Sequence, residues 1–583
     1  MKWTVFLFLF ASLQATGQTL SHDKDLFATE TQSIKRIHSH LLIRDYSSAL
    51  LECEESIHAF PDSEGIKRSY VRALAENGKD DEAIAKWKLF GLKNEAIDPN
   101  LVEALAWGVL NRSENSPQFV VNIASLMSAY YTNDIRAVRM LFHQLNSSNA
   151  LLRAMAAQLS PRYRDHLLID ELIRLLNNEK VWFVRLEVIK ALGMMEIKEL
   201  KEPLKRIVTH SRTTAEEKGV AIASLVNTYE SIGDEELSKL VHSKRSGLRH
   251  LACQIVSHLD LHEKVSFVEL LLDDPNSDVR IAALSTLYFM GLKSLSPSAL
   301  TKIIDLTEDS HPPVALTAAW VVSNYAPETA LQVVRKWVYS SDESSRRLAA
   351  FILGRIGDNG KSLSHEVLKV SPDPFVKANL ALGGIGQGGK VDHLSDTLYT
   401  FLALRKGKVM WDSSQNPLFQ ILAPSSICHV PQVPEYPAMI DQLTRLDILE
   451  MLMKLKHPKA IDAVKSFLTH QALGVTYAAS NALVEEGGEE ALTILRTLMR
   501  EESGTVRIQA ALVLALAGKD VEAIDVLQKG YFSSDREMKV NILGALGYIG
   551  DKTSIPFLMN LLEEPYQILK VVAASALIQC VYH

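Results

Sequence analysis

Residues 537–550 read EMKVNILGALGYIG, and a similar pattern occurs in TVRIQAALVLALAG at 505–518 and SDVRIAALSTLYFMG at 277–291. In these segments a basic residue precedes a small or apolar residue at +3, an apolar pair at +6 and +7, and glycine at +11. Apolar positions three and four apart predict an amphipathic helix. The glycine predicts the end of that helix, because the residue after a helix often takes left-handed dihedral angles. We call the position of the basic residue the register position.

The register position recurs along most of the chain. It is occupied, in order, by Arg153, Arg185, Lys218, Arg249, Arg280, Ala315, Arg346, Lys377, Arg445, Thr476, Arg507, Lys539 and Lys570, with a weaker copy at Val121. Successive positions are 31 to 35 residues apart, except for one interval of 68 between Lys377 and Arg445. A second apolar helical segment follows the turn, as in SIPFLMNLLEE at 554–564. The repeat therefore predicts helix pairs that bury their apolar faces only against their neighbours.

These residues resemble a known family. The pattern VRxxAxxALGxIGD, matched best by LGYIGD at 546–551, LGRIGD at 353–358 and ALG at 191–193, is similar to the HEAT-like repeats of bacterial proteins. This short type of repeat also occurs in phycobilisome lyases. The resemblance covers residues 115–583 and implies an all-α fold, a right-handed α-α superhelix of stacked antiparallel helix pairs.

One interpretation of the register residues is a row of basic side chains that binds a ligand. Because the position repeats where no single ligand could reach, we interpret the Arg or Lys instead as a contact to neighbouring backbone or acidic groups that holds the stack.

The N-terminal part of the chain differs from the repeats. Residues 18–112 resemble degenerate tetratricopeptide (TPR) repeats, since Ala49 and Ala83 lie 34 residues apart and each is followed by an apolar helical pattern. We expect HEAT-like repeats at 113–407 and again at 441–583.

The first 17 residues are predicted to be a signal peptide. MKWTVFLFLFASLQATGQ places Lys2 before a short apolar run and small residues before a cleavage point at Gln18. The run is too short for a membrane span, which needs about 20 residues. We therefore expect an exported protein, periplasmic or secreted, with no membrane span.

An insertion at 408–440 accounts for the long interval between register positions. Its five prolines exclude a regular helix, while its apolar residues are too many for a flexible linker. Insertions in repeat arrays often map to a binding face. We name as candidate partner-binding residues Trp411, Phe419, Ile421 and Tyr436. The alternative is a packed surface strap that covers neighbouring helices.

The glycine-rich stretch GGIGQGGKV at 383–391 nearly matches two phosphate-binding patterns. We reject both, because these glycines follow a predicted helix where a phosphate loop needs a strand, and Val391 lacks the hydroxyl that would bind magnesium. The surplus glycine suggests a flexible joint.

No other motif indicates catalysis or a metal. The sequence contains neither H-E-x-x-H nor G-x-S-x-G, and His250, His258 and His262 lack acidic partners at ligand spacing. The four cysteines form no C-x-x-C and are expected to be free thiols. We predict no catalytic, cofactor-binding or metal-binding residues.

The combined pattern favours a non-enzymatic scaffold that binds a protein or peptide. The net charge of −7 argues against nucleic acid as the partner. The alternative is a lyase-like or cofactor-handling enzyme, which rests on the similarity of fold alone.

Overall fold

The computed structural model describes residues 29–92, 98–291, 296–323, 325–386, 391–404, 448–449, 451–469, 484, 488–502 and 504–582. Within these residues the secondary structure is helical, with no strand. The contacts divide the chain into two compact units, Met1–Arg112 and Ser113–His583.

The first unit consists of helices. They are α1 (Glu30–Leu42), α2 (Tyr46–Ala59), α3 (Glu64–Glu76), α4 (Asp80–Leu89) and α5 (Pro99–Glu114), the last of which crosses the unit boundary. Of these, α1 to α4 pack on their sequence neighbours. Ala49 on α2 and Ala83 on α4 are both fully buried. They are therefore packing positions, and the TPR-like assignment of this unit stays a prediction.

The second unit continues with twenty-five described helices. They are α6 (Phe119–Tyr131), α7 (Arg136–Leu145), α8 (Ala150–Leu159), α9 (His166–Asn178), α10 (Trp182–Met194), α11 (Lys201–Thr209), α12 (Ala215–Val226), α13 (Asp234–Val241), α14 (Ser246–His258), α15 (Val265–Glu269), α16 (Ser277–Met290), α17 (Pro297–Asp305), α18 (Pro312–Val322), α19 (Pro327–Val338), α20 (Glu343–Leu353), α21 (Lys361–Val370), α22 (Pro374–Gly386), α23 (Val391–Leu404), α24 (Ala460–Thr469), α25 (Gly488–Glu501), α26 (Gly504–Gly518), α27 (Ala523–Ser533), α28 (Arg536–Ile549), α29 (Ile555–Asn560) and α30 (Gln567–Tyr582).

Helices that carry a register position alternate with intervening helices. The register helices described are α6, α8, α10, α12, α14, α16, α18, α20, α22, α26, α28 and α30. Short turns make neighbouring helices antiparallel. The register helices therefore run in one direction, and their carboxyl ends share one edge of the unit. This arrangement confirms the predicted all-α superhelix of stacked helix pairs.

The predicted helix ends are confirmed at seven of the +11 positions, whereas in α26 Gly518 ends the helix and Lys519 takes the positive φ. The seven +11 residues with positive φ are Arg164, Glu196, Asp260, Gly291, Gly357, Lys456 and Gly550. Only three of these seven residues are glycine, so the repeat preserves the left-handed turn even where a side chain makes it costly, by about 1–2 kcal/mol. At the other end of α22, the Asp373 carboxylate accepts a 2.9 Å hydrogen bond from the backbone N–H of Phe375. Asp373 thus caps the amino end of α22, and Pro374 occupies its first position.

The register helices form the inner layer of the second unit. They pack closely side by side from α8 to α22 and again from α26 to α30, whereas the intervening helices approach one another at few positions. Because the helices on the concave side of a curved array lie closer together than those on the convex side, this difference places the register helices on the inner side. The inner helices bury small residues on both flanks, as with Ala318 and Ala319 on α18.

Glycine allows the closest of these inner crossings. A Cβ atom on Gly383 of α22 would clash with the backbone carbonyl oxygen of Gly354, the residue after α20. Gly384 and Gly386 also lie within α22, so these glycines belong to a helix and not to a phosphate loop. Close packing between α20 and α22 accounts for the glycine at 383, so Gly383 does not require a flexible joint. Residues 387–390 lie outside the described part, and the joint stays a prediction.

The first and last register helices pack against each other. Ser575 on α30 donates a 2.8 Å hydrogen bond through Oγ to the backbone carbonyl of Ser128 on α6. We call this α6–α30 contact the seam. Contacts from α23 to α24 and from α24 to α26 complete the circuit within the described residues. The second unit is therefore a closed ring of helix pairs, a closure that the sequence pattern does not predict.

Two sequence predictions fall on residues that the structure does not describe. These are the signal peptide at 1–17 and the insertion at 408–440. None of the described helices combines the length and apolarity that a membrane crossing needs.

Candidate functional site

Arginine ladders join the amino ends of successive inner helices. Arg249 on α14 donates through Nη1 to the backbone carbonyl of Ser243 at 2.8 Å and through Nη2 to the carboxylate of Asp274 at 2.8 Å. Ser243 precedes α14 and Asp274 precedes α16, so one guanidinium ties its own helix start to the next helix. Both side chains of the ion pair are largely buried.

We call such an ion pair between a register arginine and a carboxylate before the next inner helix a rung, and the rung recurs along the ring. The pairs are Arg153–Glu179, Arg185–Glu217, Arg249–Asp274, Arg280–Asp309 and Arg346–Asp373. The five arginines also donate to backbone carbonyls that immediately precede their own helices. The predicted structural role of the register residue is confirmed at these positions, and these guanidinium groups are engaged within the stack.

The rungs are charged pairs. Burial alone would raise the pKa of Asp373, but hydrogen bonds from Arg346 and from the backbone N–H of Phe375, with the charge of Arg347, hold it below its ordinary value. Glu179 has a lowered pKa for the same reasons, since Arg153 and the N–H of Val181 outweigh its desolvation. The carboxylates of Asp373 and Glu179 therefore stay ionised at lower pH than free carboxylates do.

The junction between α18 and α20 has no rung. Ala315 takes the register position of α18, and Ser340 lies where the acidic partner would precede α20. Both members of the pair are replaced together, so neither leaves a buried charge behind.

A cluster of aromatic side chains lies at the carboxyl ends of α16 and α18. The rings of Tyr288 and Trp320 stack with centroids 3.8 Å apart, and Phe289 meets Trp320 edge-on at 6.2 Å. Phe289 is 38% exposed and nearby in sequence Tyr325, just after α18, is 48% exposed. We call Tyr288, Phe289, Trp320 and Tyr325 the aromatic cluster. It offers rigid, partly exposed apolar area with a hydroxyl and an indole as polar groups.

Other exposed apolar residues share this edge of the ring. They are Tyr131, Ile135, Leu167, Met194, Val521 and Tyr582. The opposite edge also has exposed apolar side chains, among them Trp182 and Phe532. The aromatic cluster differs from these because the exposed Phe289 packs edge-on against a stacked Tyr–Trp pair that spans two inner helices.

The predicted partner-binding residues lie elsewhere. Trp411, Phe419, Ile421 and Tyr436 fall outside the described residues, so their role stays a prediction. The aromatic cluster was missed by sequence reasoning, although a signal for it was present. The repeat SDVRIAALSTLYFMG has two aromatic residues before its turn glycine, where TVRIQAALVLALAG has none.

The histidines singled out in the sequence do not form a site together. His250 lies on α14 and burial lowers the pKa of its imidazole, while His262 lies beside Asp260 at 3.2 Å. Among the described residues no group of three or more potential ligands could hold a metal ion. Cys53, Cys253 and Cys580 are free and buried, as predicted, and Cys428 lies outside the described part.

Lysines of the locally basic segment at 198–212 contact the neighbouring helix pair. Lys205 on α11 donates to Glu236 at 2.5 Å, and Lys201 lies 4.0 Å above the ring of Tyr229. These lysines bind the neighbouring helix pair, which leaves no continuous basic strip on α11 for a polyanion.

Comparison with protein families identifies the repeats. The model of HEAT repeats matches residues 265–353, 440–515 and 497–578. The chain thus contains HEAT repeats, and the aromatic cluster lies within the first matched stretch. Among curated proteins, the comparison found no match. The lyase type of repeat and the TPR-like start remain predictions.

Solved structures of helical repeat proteins are similar to this chain at low identity. The myosin chaperone UNC-45 from C. elegans, in complex with a Hsp90 peptide, is 11% identical over 95% of this chain and 81% of that chain, with a TM-score of 0.36. Kap121p is 12% identical over 95% and 77%, with a TM-score of 0.33. Human deoxyhypusine hydroxylase is 14% identical over 45% and 98%, with a TM-score of 0.21. These likenesses carry no argument about function.

Proposed function

We propose that this protein is an exported, non-enzymatic scaffold that binds another protein or a peptide through the carboxyl edge of its helical ring. The observation that carries this proposal is the aromatic cluster of Tyr288, Phe289, Trp320 and Tyr325. Exposed aromatic side chains on a rigid base are typical anchors of protein interfaces, because they bury large areas at low entropic cost.

The charges of the ring support a protein partner over a nucleic acid. The register arginines of the five rungs are occupied by carboxylates and carbonyls, so they do not offer phosphate contacts. The chain has a net charge of −7. Phosphate binding depends on free basic side chains on one surface.

The scaffold is expected to act outside the cytoplasm. The support is the N-terminal sequence, with Lys2, a short apolar run and a cleavage point before Gln18. Sequencing of the mature protein from its native cells checks this part of the proposal. A first residue of Gln18 supports export, and an intact Met1 on the native protein contradicts it.

The binding proposal is tested by partner recovery with matched variants. The tagged protein and its variants Phe289→Lys and Tyr325→Lys are purified from native cells, with Phe532→Lys as the control. Phe532 is 73% exposed and lies on the opposite edge. We expect a partner that copurifies with the wild type to fall at least about tenfold with the two cluster variants and to persist with the control, as for loss of an interface anchor. Equal recovery with all variants would reject the cluster as the binding site.

The insertion is tested in the same assay. Deletion of residues 410–438 removes Trp411, Phe419, Ile421 and Tyr436. Reduced recovery, with helix content unchanged by circular dichroism, supports a contact from the insertion. Unchanged recovery assigns the insertion to packing alone.

A further inference from the structure

The helix α6 is attached more firmly to the end of the ring than to the helix pair that follows it. It packs closely along α30, and Val121, Ser125 and Ala129 on α6 are buried. The Ser575–Ser128 hydrogen bond crosses this seam. The last repeat is thus completed by the first register helix, although the two are at opposite ends of the unit's sequence.

The contact between α6 and α8 is sparse by comparison. These two register helices approach each other at few positions, whereas α8 packs closely against α10. This junction also lacks the Arg–carboxylate pair. A rung between α6 and α8 would need a basic residue at Val121 and an acidic residue at Ser147, which is the place that Glu179 takes before α10. Neither residue can form the pair.

The junction between α18 and α20 also lacks a rung. Its two positions hold Ala315 and Ser340, and these helices make a looser contact than the rung-bearing neighbours α20 and α22. A rung is not required for close packing, because α12 packs against α14 and α28 against α30 with Lys218 and Lys539 at the register positions. The junction between α6 and α8 is the loosest between successive register helices in the described ring.

Side chains at the carboxyl ends hold α6 and α8 together. Tyr163, just after α8, donates a 3.2 Å hydrogen bond through its hydroxyl to the backbone carbonyl of Tyr130. Arg162 donates through Nε to the Asn133 side-chain oxygen at 3.0 Å, and its guanidinium lies 4.8 Å from the Tyr130 ring centroid. We call these contacts of Arg162 and Tyr163 the latch. Asn133, with φ of 56°, lies in the turn between α6 and α7.

We propose that the ring opens between α6 and α8, with α6 remaining on α30 and the latch of Arg162 and Tyr163 holding the junction shut. The turn at 132–135 acts as the hinge, because it joins α6 to α7, and α7 packs on α8 and α9. Opening gives a chain or loop lateral access to the inner face. The inference does not depend on the aromatic cluster and is tested without a binding partner.

Pulsed electron–electron double resonance, which measures distances between paired spin labels, tests whether the ring opens between α6 and α8. One pair at Val120 and Ser148 spans the α6–α8 junction, and another at Val120 and Gln567 spans the seam; all three side chains are exposed. The full chain carries Cys428→Ser. Burial raises the pKa of Cys53 and Cys580 to about 12, and that of Cys253 as well, so these thiols resist labelling.

We expect two distance populations across the junction and one across the seam. A single narrow distance between Val120 and Ser148 would overturn the proposal, and so would a second, longer distance between Val120 and Gln567. The shared label at Val120 ensures that a difference between the pairs reflects the junctions and not the label site.

Removing one latch hydroxyl tests the mechanism of opening. Tyr163→Phe deletes the hydrogen bond to Tyr130 and is expected to raise the open population across the junction at least twofold. Tyr229→Phe is the matched control, since its hydroxyl contacts Glu236 at 3.2 Å in an interior helix pair. Equal distributions in the wild type and Tyr163→Phe would overturn the assignment of the latch.

Discussion

The hydroxyl of Ser575 donates a 2.8 Å hydrogen bond to the backbone carbonyl of Ser128, which lies 447 residues earlier in the chain. This single contact joins the last register helix to the first. Among the described residues, the inner helices α6 and α30 therefore cover each other's outward flanks. The stability of the second unit depends on the seam as well as on the contacts between successive repeats.

Replacement of Ser575 is expected to weaken the seam. Ser575→Ala removes the hydrogen bond to Ser128 and should lower the free energy of unfolding by about 1 kcal/mol. Ser285 occupies the same register offset on α16, but its hydroxyl bonds to Ile281 within its own helix. Ser285→Ala should therefore change stability by less than about 0.5 kcal/mol. Urea denaturation of both variants provides the measurement, and equal effects would count against the seam.

Two glycines in α28 distinguish the effect of close packing on stability from the effect of helix propensity. A Cβ on Gly547 would lie 2.8 Å from the Cα of Ala576 on α30, whereas a Cβ on Gly544 meets nothing within 4 Å. Gly547→Ala should destabilise the protein by about 1–3 kcal/mol through overpacking. Gly544→Ala should stabilise it by about 1 kcal/mol through helix propensity. Thermal and urea unfolding provide the measurement. A gain of stability in both variants would contradict the close contact between α28 and α30.

Loss of a ladder arginine is expected to be costly. Arg249→Ala leaves Asp274 buried without its charge partner, and should cost about 3–5 kcal/mol in the free energy of unfolding. Arg335 pairs with Glu366 on the exposed surface, so Arg335→Ala should cost less than about 1 kcal/mol. Urea titrations compare the two. A loss at Arg249 no larger than that at Arg335 would mean that the rungs do not hold the stack.

The stabilising effect of Asp373 should depend on pH. Its pKa is lower in the folded protein than in the unfolded chain, because Arg346, Arg347 and the N–H of Phe375 outweigh its desolvation. Its ionisation therefore stabilises the fold above the unfolded pKa of about 4, and this contribution is lost as pH falls through the folded pKa.

A comparison with Asp373→Asn measures this contribution. The wild type should exceed the variant in stability most at neutral pH, and the difference should shrink below about pH 4. Asp273→Asn, at an exposed carboxylate, should stay within about 1 kcal/mol of the wild type throughout. A difference between wild type and Asp373→Asn that does not vary with pH would contradict the ion pair.

Much of the fold follows from local periodicity in the sequence. The spacing of apolar residues predicted the helices, and the +11 position predicted their ends, including Gly550 with φ of 76°. The repetition of the register residue predicted its structural role, which Arg249 confirms. Each of these features depends on residues within one repeat or its neighbour, which is the range that a periodic pattern reports.

Ring closure could not be predicted in this way. Whether α6 meets α30 depends on the small rotation between repeats, accumulated over the whole array, and no single repeat encodes that sum. The aromatic cluster was missed for a different reason. Tyr288 and Phe289 occupy ordinary helical positions, and their significance appears only when Trp320 of the next inner helix contacts both rings.

Hydrogen exchange of α6 tests the closed ring most directly. Ser575→Glu places a charge in the seam, and the amides of 119–131 are followed by mass spectrometry with 343–353 as the internal reference. Ser285→Glu is the control, because it introduces the same charge at the same register offset in α16. The closed ring predicts that Ser575→Glu speeds exchange in α6 at least about tenfold relative to the control, as expected for lost packing of a buried helix. Protection of α6 that is unchanged by Ser575→Glu would contradict it.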